Sequence, residues 1–225
     1  MKHWLRPILV GLLLPVIAGC VTPPNRPHNY ARWERAIHAF EQSDVKHPPA
    51  KGVVVVTGSS TIVRWKTLAR DFPSLPVLNR GFGGSEIVDA THFADRIIFP
   101  YAPKMVWLRA GGNDLWAGKT PSQVADDFKA FAETVHAQLP ASKLVFISLS
   151  PSLARWKQHE AEKELNTRIA GYIADKPWLQ YVETYDVPLG ANGLPRPELF
   201  VSDKLHFNAA GYQLLAARVR SELQK

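Results

Sequence analysis

The stretch from Val53 to Ile62 reads VVVVTGSSTI and decides the fold of this chain. Four consecutive β-branched residues are too apolar for a strand with one face in water, so they predict a strand buried on both faces of a parallel sheet. Such a strand requires helices above and below the sheet. Its carboxyl end delivers Gly58, Ser59 and Ser60 to the edge where open α/β sheets bind their ligands. The two adjacent serines are therefore candidate nucleophiles.

Strands and helices alternate along the rest of the chain. Apolar runs predict four more strands, at residues 77–78, 105–108, 144–149 and 179–182. Helical spacing and capping signals predict helices over residues 30–42, from the serine turn to Pro73, around residues 87–93, from Thr120 to Pro140, around residues 165–173 and after Asn208. Because the connections are too long for hairpins, the sheet should be parallel with right-handed crossovers. The predicted fold is a three-layer α/β fold, in which helices cover both faces of a five-stranded parallel sheet.

Two further turns at the same edge of the sheet are rich in glycine. Residues 79–84 read NRGFGG and residues 111–114 read GGND. Closely spaced glycines let backbone N–H groups approach a ligand, and the amide of Asn113 adds a donor that carries no charge. Either turn by itself also fits a purely structural tight turn. Their joint appearance after successive strands favours a site for a developing negative charge.

The segment before the last helix supplies a candidate base and a group to orient it. Asp203 and His206 are three residues apart, so one loop can hold the carboxylate against one ring nitrogen and present the other nitrogen to a serine. Alone, this spacing also fits a surface turn or a helix cap. Together with the serines and the glycine turns, it completes the set of groups that acyl transfer needs.

Three better-known motifs of α/β proteins do not fit these turns. The Gly-x-Ser-x-Gly motif would need glycine where Ile62 stands. A dinucleotide-binding Gly-x-Gly-x-x-Gly would need glycine at Glu86, and a phosphate-binding loop would need a lysine after the serine turn.

The four turns resemble the four sequence blocks of the SGNH, or GDSL-type, hydrolases, in the same order and spacing. The matching blocks are residues 58–60, 79–84, 111–114 and 203–206, and the similarity extends from about Gly52 to the end of the chain. The resemblance implies the flavodoxin-like SGNH hydrolase fold and a serine esterase that needs no metal or other cofactor.

The family pattern also implies a role for each matching residue. Ser60 would be the nucleophile, His206 the base and Asp203 the acid that orients the base. The oxyanion hole would consist of the backbone N–H groups of Ser60 and Gly84 and the side chain of Asn113. The implied reaction is hydrolysis of an acyl or acetyl ester through an acyl-enzyme on Ser60.

Several points stay open at this level. The commoner family motif has Asp where this chain has Ser59, and we interpret the Ser59 hydroxyl as a turn cap. Arg155 and Trp156 fit a substrate lip or ordinary packing equally well. The resemblance allows short-chain esters, lysophospholipids or acetylated sugars as substrates. The alternative function is an inactive lipoprotein that binds an envelope glycan or lipid.

Residues 1–19 have the pattern of a secretory signal peptide. Lys2 and Arg6 precede an apolar run over residues 8–17, which is about half the length that spans a bilayer. The run ends in IAGC, which resembles the lipobox of bacterial lipoproteins and makes Cys20 the predicted lipidation site. A small core-type cysteine at the end of an uncleaved anchor is the alternative. Cys20 is the only cysteine in the chain, and because an oxidising compartment would pair a lone free thiol between molecules, lipidation explains its presence.

These signals predict three segments and a location. Residues 1–19 are the signal peptide, residues 20–50 a lipid-anchored tether with the amino-terminal helix, and residues 51–225 the hydrolase domain. The anchor predicts a periplasmic lipoprotein of the bacterial cell envelope, and Val21 after the cysteine favours the outer membrane. The net charge of +7 is not concentrated in a basic tract with interleaved aromatics, so no nucleic-acid partner is expected. The expected partners are an ester substrate and the membrane, and the oligomeric state is left open.

Overall fold

The computed structural model of the protein describes Met1 and residues 28–224. The predicted signal peptide, Cys20 and the first part of the predicted tether lie outside the described residues. Among the residues that are described, no helix combines the length and the apolar character that a membrane span requires.

Five parallel strands form one sheet, as predicted. The strands are β1 (Val54–Gly58), β2 (Val77–Gly81), β3 (Met105–Arg109), β4 (Lys143–Ile147) and β5 (Leu179–Val182). Their order across the sheet is β2-β1-β3-β4-β5, which is the flavodoxin-like order, and the crevice of such sheets lies where the order reverses, beside β1. The predicted fold class is therefore confirmed.

The strand β1 lies between β2 and β3 and is buried along its whole length. Its last residue, Gly58, pairs in register with Gly81 at the end of β2 and with Arg109 at the end of β3. The three strands thus end level with one another. The turns that follow them are brought side by side at one edge of the sheet.

Helices cover both faces of the sheet and give the fold its three layers. The helices are α1 (Glu34–Lys46), α2 (Ser60–Arg64), α3 (Leu68–Asp71), α4 (Ile87–His92), α5 (Ala94–Ile97), α6 (Gly112–Trp116), α7 (Pro121–Gln138), α8 (His159–Ile173) and α9 (Ala209–Leu223). One core lies between the sheet and α1, α4, α5, α7 and α8, and contains Ile37 and Phe128. The other lies between the sheet and α2, α3 and α9, and contains Trp65 and Leu215.

Two helix starts follow the predicted capping chemistry. The Thr120 hydroxyl accepts a hydrogen bond from the backbone N–H of Gln123 at 3.2 Å, and the Gln123 side chain accepts one from the Thr120 N–H at 2.9 Å. This reciprocal pair is a capping box at the start of α7. The side chain of Asn208 accepts a hydrogen bond from the Gly211 N–H at 3.1 Å and so caps α9.

The predicted amino-terminal helix is present, but it differs from the prediction at both ends. A 3-10 turn occupies Tyr30–Trp33, and the α-helix runs from Glu34 to Lys46 instead of ending at residue 42. The helix continues because the first residue that forbids it is Pro48, which disfavours helical backbone at His47. Trp33 and Ile37 are buried in the core, so this segment packs on the same domain.

The helices predicted after the serine turn and after the glycine turn at residues 79–84 are each broken into two. The first breaks at Trp65, which leaves the helical conformation and donates its ring N–H to Asp71 at 2.7 Å. The second breaks at Phe93, between α4 and α5. The fourth strand is shorter than predicted, because Leu149 exchanges both of its backbone hydrogen bonds with the Asn166 side chain instead of a strand.

Candidate active site

The serine turn, residues 58–60, is shaped by a glycine at the end of β1. Gly58 has a φ of +139°, and a Cβ there would lie 2.1 Å from the carbonyl oxygen of Arg109. Only glycine fits this position. The chain can therefore turn sharply out of the sheet, and Ser60 becomes the first residue of α2.

The interpretation of Ser59 as a turn cap is wrong. Ser59 is the residue before α2, but its side chain makes no capping hydrogen bond. Its carbonyl oxygen already accepts the N–H groups of Ile62 and Val63, at 3.0 and 3.2 Å. The hydroxyl is not needed as a cap, and Ser59 lines the cavity beside Ser60 instead.

Ser60, His206 and Asp203 are brought together from the two ends of the domain. The His206 ring lies with its Nε2 atom 2.8 Å from the Ser60 Oγ atom and its Nδ1 atom 2.7 Å from Asp203 Oδ2. One ring nitrogen thus faces the hydroxyl and the other faces the carboxylate. This is the arrangement in which a histidine can take a proton from a serine while a carboxylate stabilises the resulting imidazolium.

The Asp203 carboxylate is held in its charged form. Burial works to raise its pKa, but hydrogen bonds from the His206 ring and from the backbone N–H groups of His206 and Leu205 outweigh it, so the pKa of Asp203 lies well below its usual range. Both backbone N–H groups reach Asp203 Oδ1 at 2.9 Å. The left-handed backbone of Lys204, with φ of 56°, closes this tight loop.

Of the three groups predicted as oxyanion donors, one is the N–H of Ser60 itself, and the other two lie in the two turns beside it. The glycine turn is joined to the serine turn by a 2.9 Å hydrogen bond from the Phe82 N–H to the Gly58 carbonyl. Within the described residues, no hydrogen bond uses the backbone N–H of Ser60 or of Gly84. Both donors are thus available to a ligand.

Asn113 lies in the wall of the cavity that Ser60 and His206 line. Its Nδ2 atom donates to the Ser85 carbonyl at 2.9 Å, which leaves the second hydrogen of the amide, and its Oδ1 atom accepts from Arg155 at 3.0 Å. These two bonds fix the orientation of the amide. The roles of the predicted site residues remain predictions; the structure shows that Ser60, Asn113 and His206 line one cavity.

Asp114 links the asparagine turn to the glycine turn. Its buried carboxylate accepts the N–H of Ile87, the first residue of α4, at 3.1 Å. Burial raises the pKa of Asp114 to about 6, although the neighbouring charge of Lys119 opposes this. Asp114 and the preceding Asn113 therefore both bind the segment that follows Gly84, and the donors are held in one rigid unit.

The cavity beside Ser60 has a volume of about 70 Å³ and is lined mostly by polar side chains. Arg109 forms its floor and is buried, with its guanidinium donating to the Ser148 carbonyl, to Thr184 at 3.0 Å and to Ser150 at 2.7 Å. Burial lowers the pKa of Arg109 to about 10, so the side chain stays charged at neutral pH.

A buried acid faces Arg109 in the same cavity. Glu162 is 5% exposed; one of its oxygens accepts from Gln158 at 2.7 Å, and the other has no hydrogen-bond partner in the described structure. Burial raises the pKa of Glu162 to about 7, against the hydrogen bond from Gln158 and the charges of Arg109 and Arg155. One carboxylate oxygen of Glu162 is therefore buried at the wall of the cavity with its hydrogen-bonding capacity unused.

Arg155 and Trp156, which the sequence could not assign, have different positions. Arg155 lines the cavity and donates to Asn113 and to the Gly112 carbonyl at 3.2 Å. Its guanidinium lies 5.0 Å from the centre of the Trp116 ring, and Trp116 is 61% exposed. Trp156 instead stacks on His159 at 4.0 Å, so it is packing rather than part of the cavity wall.

Sequence reasoning missed Arg109 and Glu162, although each left a signal. Arg109 is a charged residue at the end of an apolar strand run. Glu162 precedes Leu165 and Ile169 by three and seven residues, so it falls on the buried face of α8. A charged residue at a position that the hydrophobic pattern assigns to the core indicates a buried polar side chain. In the described part of the chain, no three His, Cys, Asp or Glu side chains are grouped as a metal site.

A flavodoxin-like α/β fold with a serine, a histidine and an aspartate joined in this order at the carboxyl edge of the sheet defines a class of serine hydrolases. The sequence profile of the GDSL-like lipase/acylhydrolase family matches residues 50–214. The chain belongs to this family, and it is a carboxylic ester hydrolase. The resemblance seen in the four sequence blocks is thus confirmed. A comparison with curated protein sequences gave no match.

Solved structures support the fold. A provisionally assigned platelet activating factor protein from Streptococcus pneumoniae superposes with a TM-score of 0.75 at 18% identity, over 86% of this chain and 94% of that one. A GDSL-like lipase from Bacteroides thetaiotaomicron gives 0.67 at 21% identity, over 87% and 97%. An acetyl-xylooligosaccharide esterase from Geobacillus gives 0.60 at 16% identity, over 79% and 96%.

Proposed function

We propose that this chain hydrolyses esters of small acyl groups, such as acetate, through an acyl-enzyme on Ser60. The observation that carries the proposal is the hydrogen-bonded chain from Ser60 through His206 to Asp203 at the mouth of a small polar cavity. An activated serine beside free backbone donors is the arrangement that acyl transfer requires.

The first half of the reaction acylates the serine. Ser60 Oγ bonds to the ester carbonyl carbon while its proton passes to His206 Nε2, and the carbonyl oxygen becomes an oxyanion. The N–H groups of Ser60 and Gly84 and the amide of Asn113 stabilise this charge. When the oxyanion collapses, the bond to the alcohol oxygen breaks and His206 returns its proton to the departing alcohol.

The second half releases the acid. His206 takes a proton from a water molecule, whose oxygen bonds to the acyl carbon and forms a second oxyanion on the same donors. Collapse of this intermediate breaks the bond to Ser60 Oγ, which recovers its proton from His206. Asp203 stays ionised throughout and holds the ring in the orientation that both steps need.

The size of the cavity favours a small acyl group. A single water needs roughly 10–15 Å³ when volume is measured by the space open to a water-sized sphere. A cavity of about 70 Å³ therefore has room for an acetyl group or one slightly larger. A long alkyl chain would not fit without movement of the walls, and polar walls would not repay its transfer from water.

The surroundings of the cavity favour a polar alcohol, and we infer that this alcohol is a sugar. The oxygen of Glu162 that has no partner can accept a hydroxyl hydrogen of the substrate once a small shift of the side chain uncovers it. The exposed Trp116 ring beside Arg155 offers an apolar face with a polar edge at the entrance. The Geobacillus structure named above is that of an esterase of acetylated xylooligosaccharides.

We further propose that the enzyme is tethered in the bacterial envelope by a lipid on Cys20. The lipobox-like residues 17–20 and the proline-containing residues after them support this proposal. Metabolic labelling with a fatty acid should mark the wild type and not Cys20→Ser, which should leave the membrane fraction. Equal labelling of both would contradict the anchor.

The function is tested with the full chain purified in detergent. Acetate, butyrate and octanoate esters of p-nitrophenol and an acetylated xylooligosaccharide serve as substrates. We expect acetyl esters to give the highest kcat/KM, Ser60→Ala to lose at least ~10³-fold, and the matched control Ser59→Ala to retain most activity. Faster hydrolysis of octanoate would contradict the acyl size, and an active Ser60→Ala would contradict the nucleophile.

A further inference from the structure

Trp33 lies outside residues 50–214, which match the family profile, yet it reaches the active-site turns. It ends the 3-10 turn Tyr30–Trp33 and is 5% exposed. Its ring Nε1 atom donates a hydrogen bond to the carbonyl oxygen of Gly83 at 3.0 Å. The amino-terminal segment is therefore bonded directly to the glycine turn beside Ser60.

The bonded carbonyl belongs to the same peptide unit as the Gly84 N–H. A peptide unit is planar, and in the trans form its C=O and N–H point in opposite directions. No cis peptide bond is present among the described residues. A donor that fixes the Gly83 carbonyl from one side thus fixes the direction of the Gly84 N–H on the other side.

The peptide unit between Gly83 and Gly84 needs such a hydrogen bond because both of its residues are glycines. Gly84 has a φ of +79°, and a Cβ on Gly83 would meet nothing within 4 Å. Neither residue carries a side chain that would restrict rotation of the unit, and glycine backbone is intrinsically permissive. The hydrogen bond from Trp33 supplies the restriction that the glycine turn lacks.

Trp33 is itself held in place. Its ring packs edge-on against Phe82 at 6.3 Å and lies parallel to the His28 ring at 6.0 Å. The Arg32 guanidinium covers it at 4.7 Å and also lies over Gly84, 3.2 Å from where a Cβ would stand. The indole N–H therefore has a fixed direction.

We propose that Trp33 is a positioning residue of the oxyanion hole, which aims the Gly84 N–H at the developing oxyanion. This inference rests on the proposed function of Ser60 and Gly84. The bond to the Gly83 carbonyl also polarises the peptide, which makes its N–H a stronger donor. A segment of the chain beyond the family match thus completes the catalytic machinery.

The test compares Trp33→Phe with Trp178→Phe in the full chain. Phe keeps most of the packing and removes the N–H; Trp178 stacks on His136 at 4.1 Å, away from the cavity, and serves as the matched control. We expect Trp33→Phe to lower kcat for p-nitrophenyl acetate about tenfold with KM changed less than twofold. A trifluoromethyl ketone, which binds as a tetrahedral oxyanion, should lose about the same factor in affinity.

A purely structural role would give a different result. It would lower Tm without a selective loss of ketone affinity, and that result, or a wild-type kcat in Trp33→Phe, would overturn the proposal. If Trp33→Phe does not fold, benzothienylalanine at position 33 keeps the ring shape with sulfur in place of N–H, and the same losses are expected. Ser60→Ala measured in parallel separates the two claims, because an active Ser60→Ala contradicts the proposed function itself.

Discussion

The two sides of the cavity differ in how their polar groups are satisfied. On one side, the side chains of Ser60, His206 and Asp203 form an unbroken series of hydrogen bonds. On the other side, one oxygen of Glu162, which lines the cavity, has no partner among the described residues. A buried polar atom without a partner is costly. The difference indicates that one side is preorganised for bond making and that the other is left open for a polar substrate.

The largest expected effect comes from breaking the preorganised side at the histidine. His206→Ala removes the base for both halves of the reaction, so kcat should fall by roughly 10⁴-fold or more. The variant should fold, since the Asp203 carboxylate keeps its hydrogen bonds from the backbone N–H groups of Leu205 and residue 206. His159→Ala, which removes a ring stacked on Trp156 outside the cavity, is the control. A His206→Ala enzyme within tenfold of wild type would exclude His206 as the base.

Removing one oxyanion donor should have a smaller effect. Asn113→Ala leaves the triad intact but deletes the side-chain donor, and kcat should fall by about 10²- to 10³-fold. Because the donor acts mainly on the developing charge, KM should change little. Steady-state kinetics on p-nitrophenyl acetate measure both. A raised KM with an unchanged kcat would instead assign Asn113 to substrate binding.

Glu162, on the side of the cavity where a polar atom lacks a partner, is tested through the pH dependence of the free energy of unfolding. The pKa of Glu162 is raised from 4.5 to about 7 by burial, so the folded protein binds its proton more tightly than the unfolded chain does. The stabilisation of the folded state that comes from this tighter proton binding is fully present below pH 4.5 and is lost as the pH rises through 7. Glu162→Gln mimics the protonated acid and avoids this loss.

Denaturant unfolding of wild type and Glu162→Gln should therefore agree near pH 4 and diverge as the pH rises. At pH 8 the variant should be more stable, by up to about 3 kcal/mol. Glu160→Gln on the exposed side of the same helix is the matched control, with no such divergence expected. Parallel pH profiles for wild type and Glu162→Gln would show that Glu162 titrates normally.

The smallest effect is expected at the entrance of the open side. Trp116→Ala should raise KM for an acetylated xylooligosaccharide by roughly tenfold and leave kcat/KM for p-nitrophenyl acetate within twofold, because only the sugar reaches the exposed ring. Exposed Leu194, substituted by alanine, controls for loss of a surface apolar group. Equal effects on both substrates would remove Trp116 from sugar recognition.

The contrast between the two sides also explains what the sequence could predict. Ser60 and the oxyanion donors come from short motifs at strand ends, where the parallel sheet forces neighbouring turns to meet, and Asp203 and His206 share one short loop before α9. Sequence spacing is therefore informative for Ser60, Asn113 and the pair Asp203 and His206. The fold could also be predicted from the sequence, because the apolar strands and the capped helix α7 give strong local signals.

The meeting of Arg109 and Glu162 in the cavity and the hydrogen bond from Trp33 to the glycine turn could not be predicted in this way. Arg109, Glu162 and Trp33 are single residues on separate elements, and their meeting depends on how helices pack rather than on any local pattern. The breaks at Trp65 and Phe93 were missed because tertiary packing of the rings overrides helical spacing.

The most direct test of the account is to identify the residue that becomes covalently modified. A fluorophosphonate should add once to the wild type, and peptide mass spectrometry should locate the adduct on Ser60. No adduct should form on Ser60→Ala, while Ser59→Ala should react like the wild type. An adduct on Ser59, or unimpaired ester hydrolysis by Ser60→Ala, would contradict the central claim.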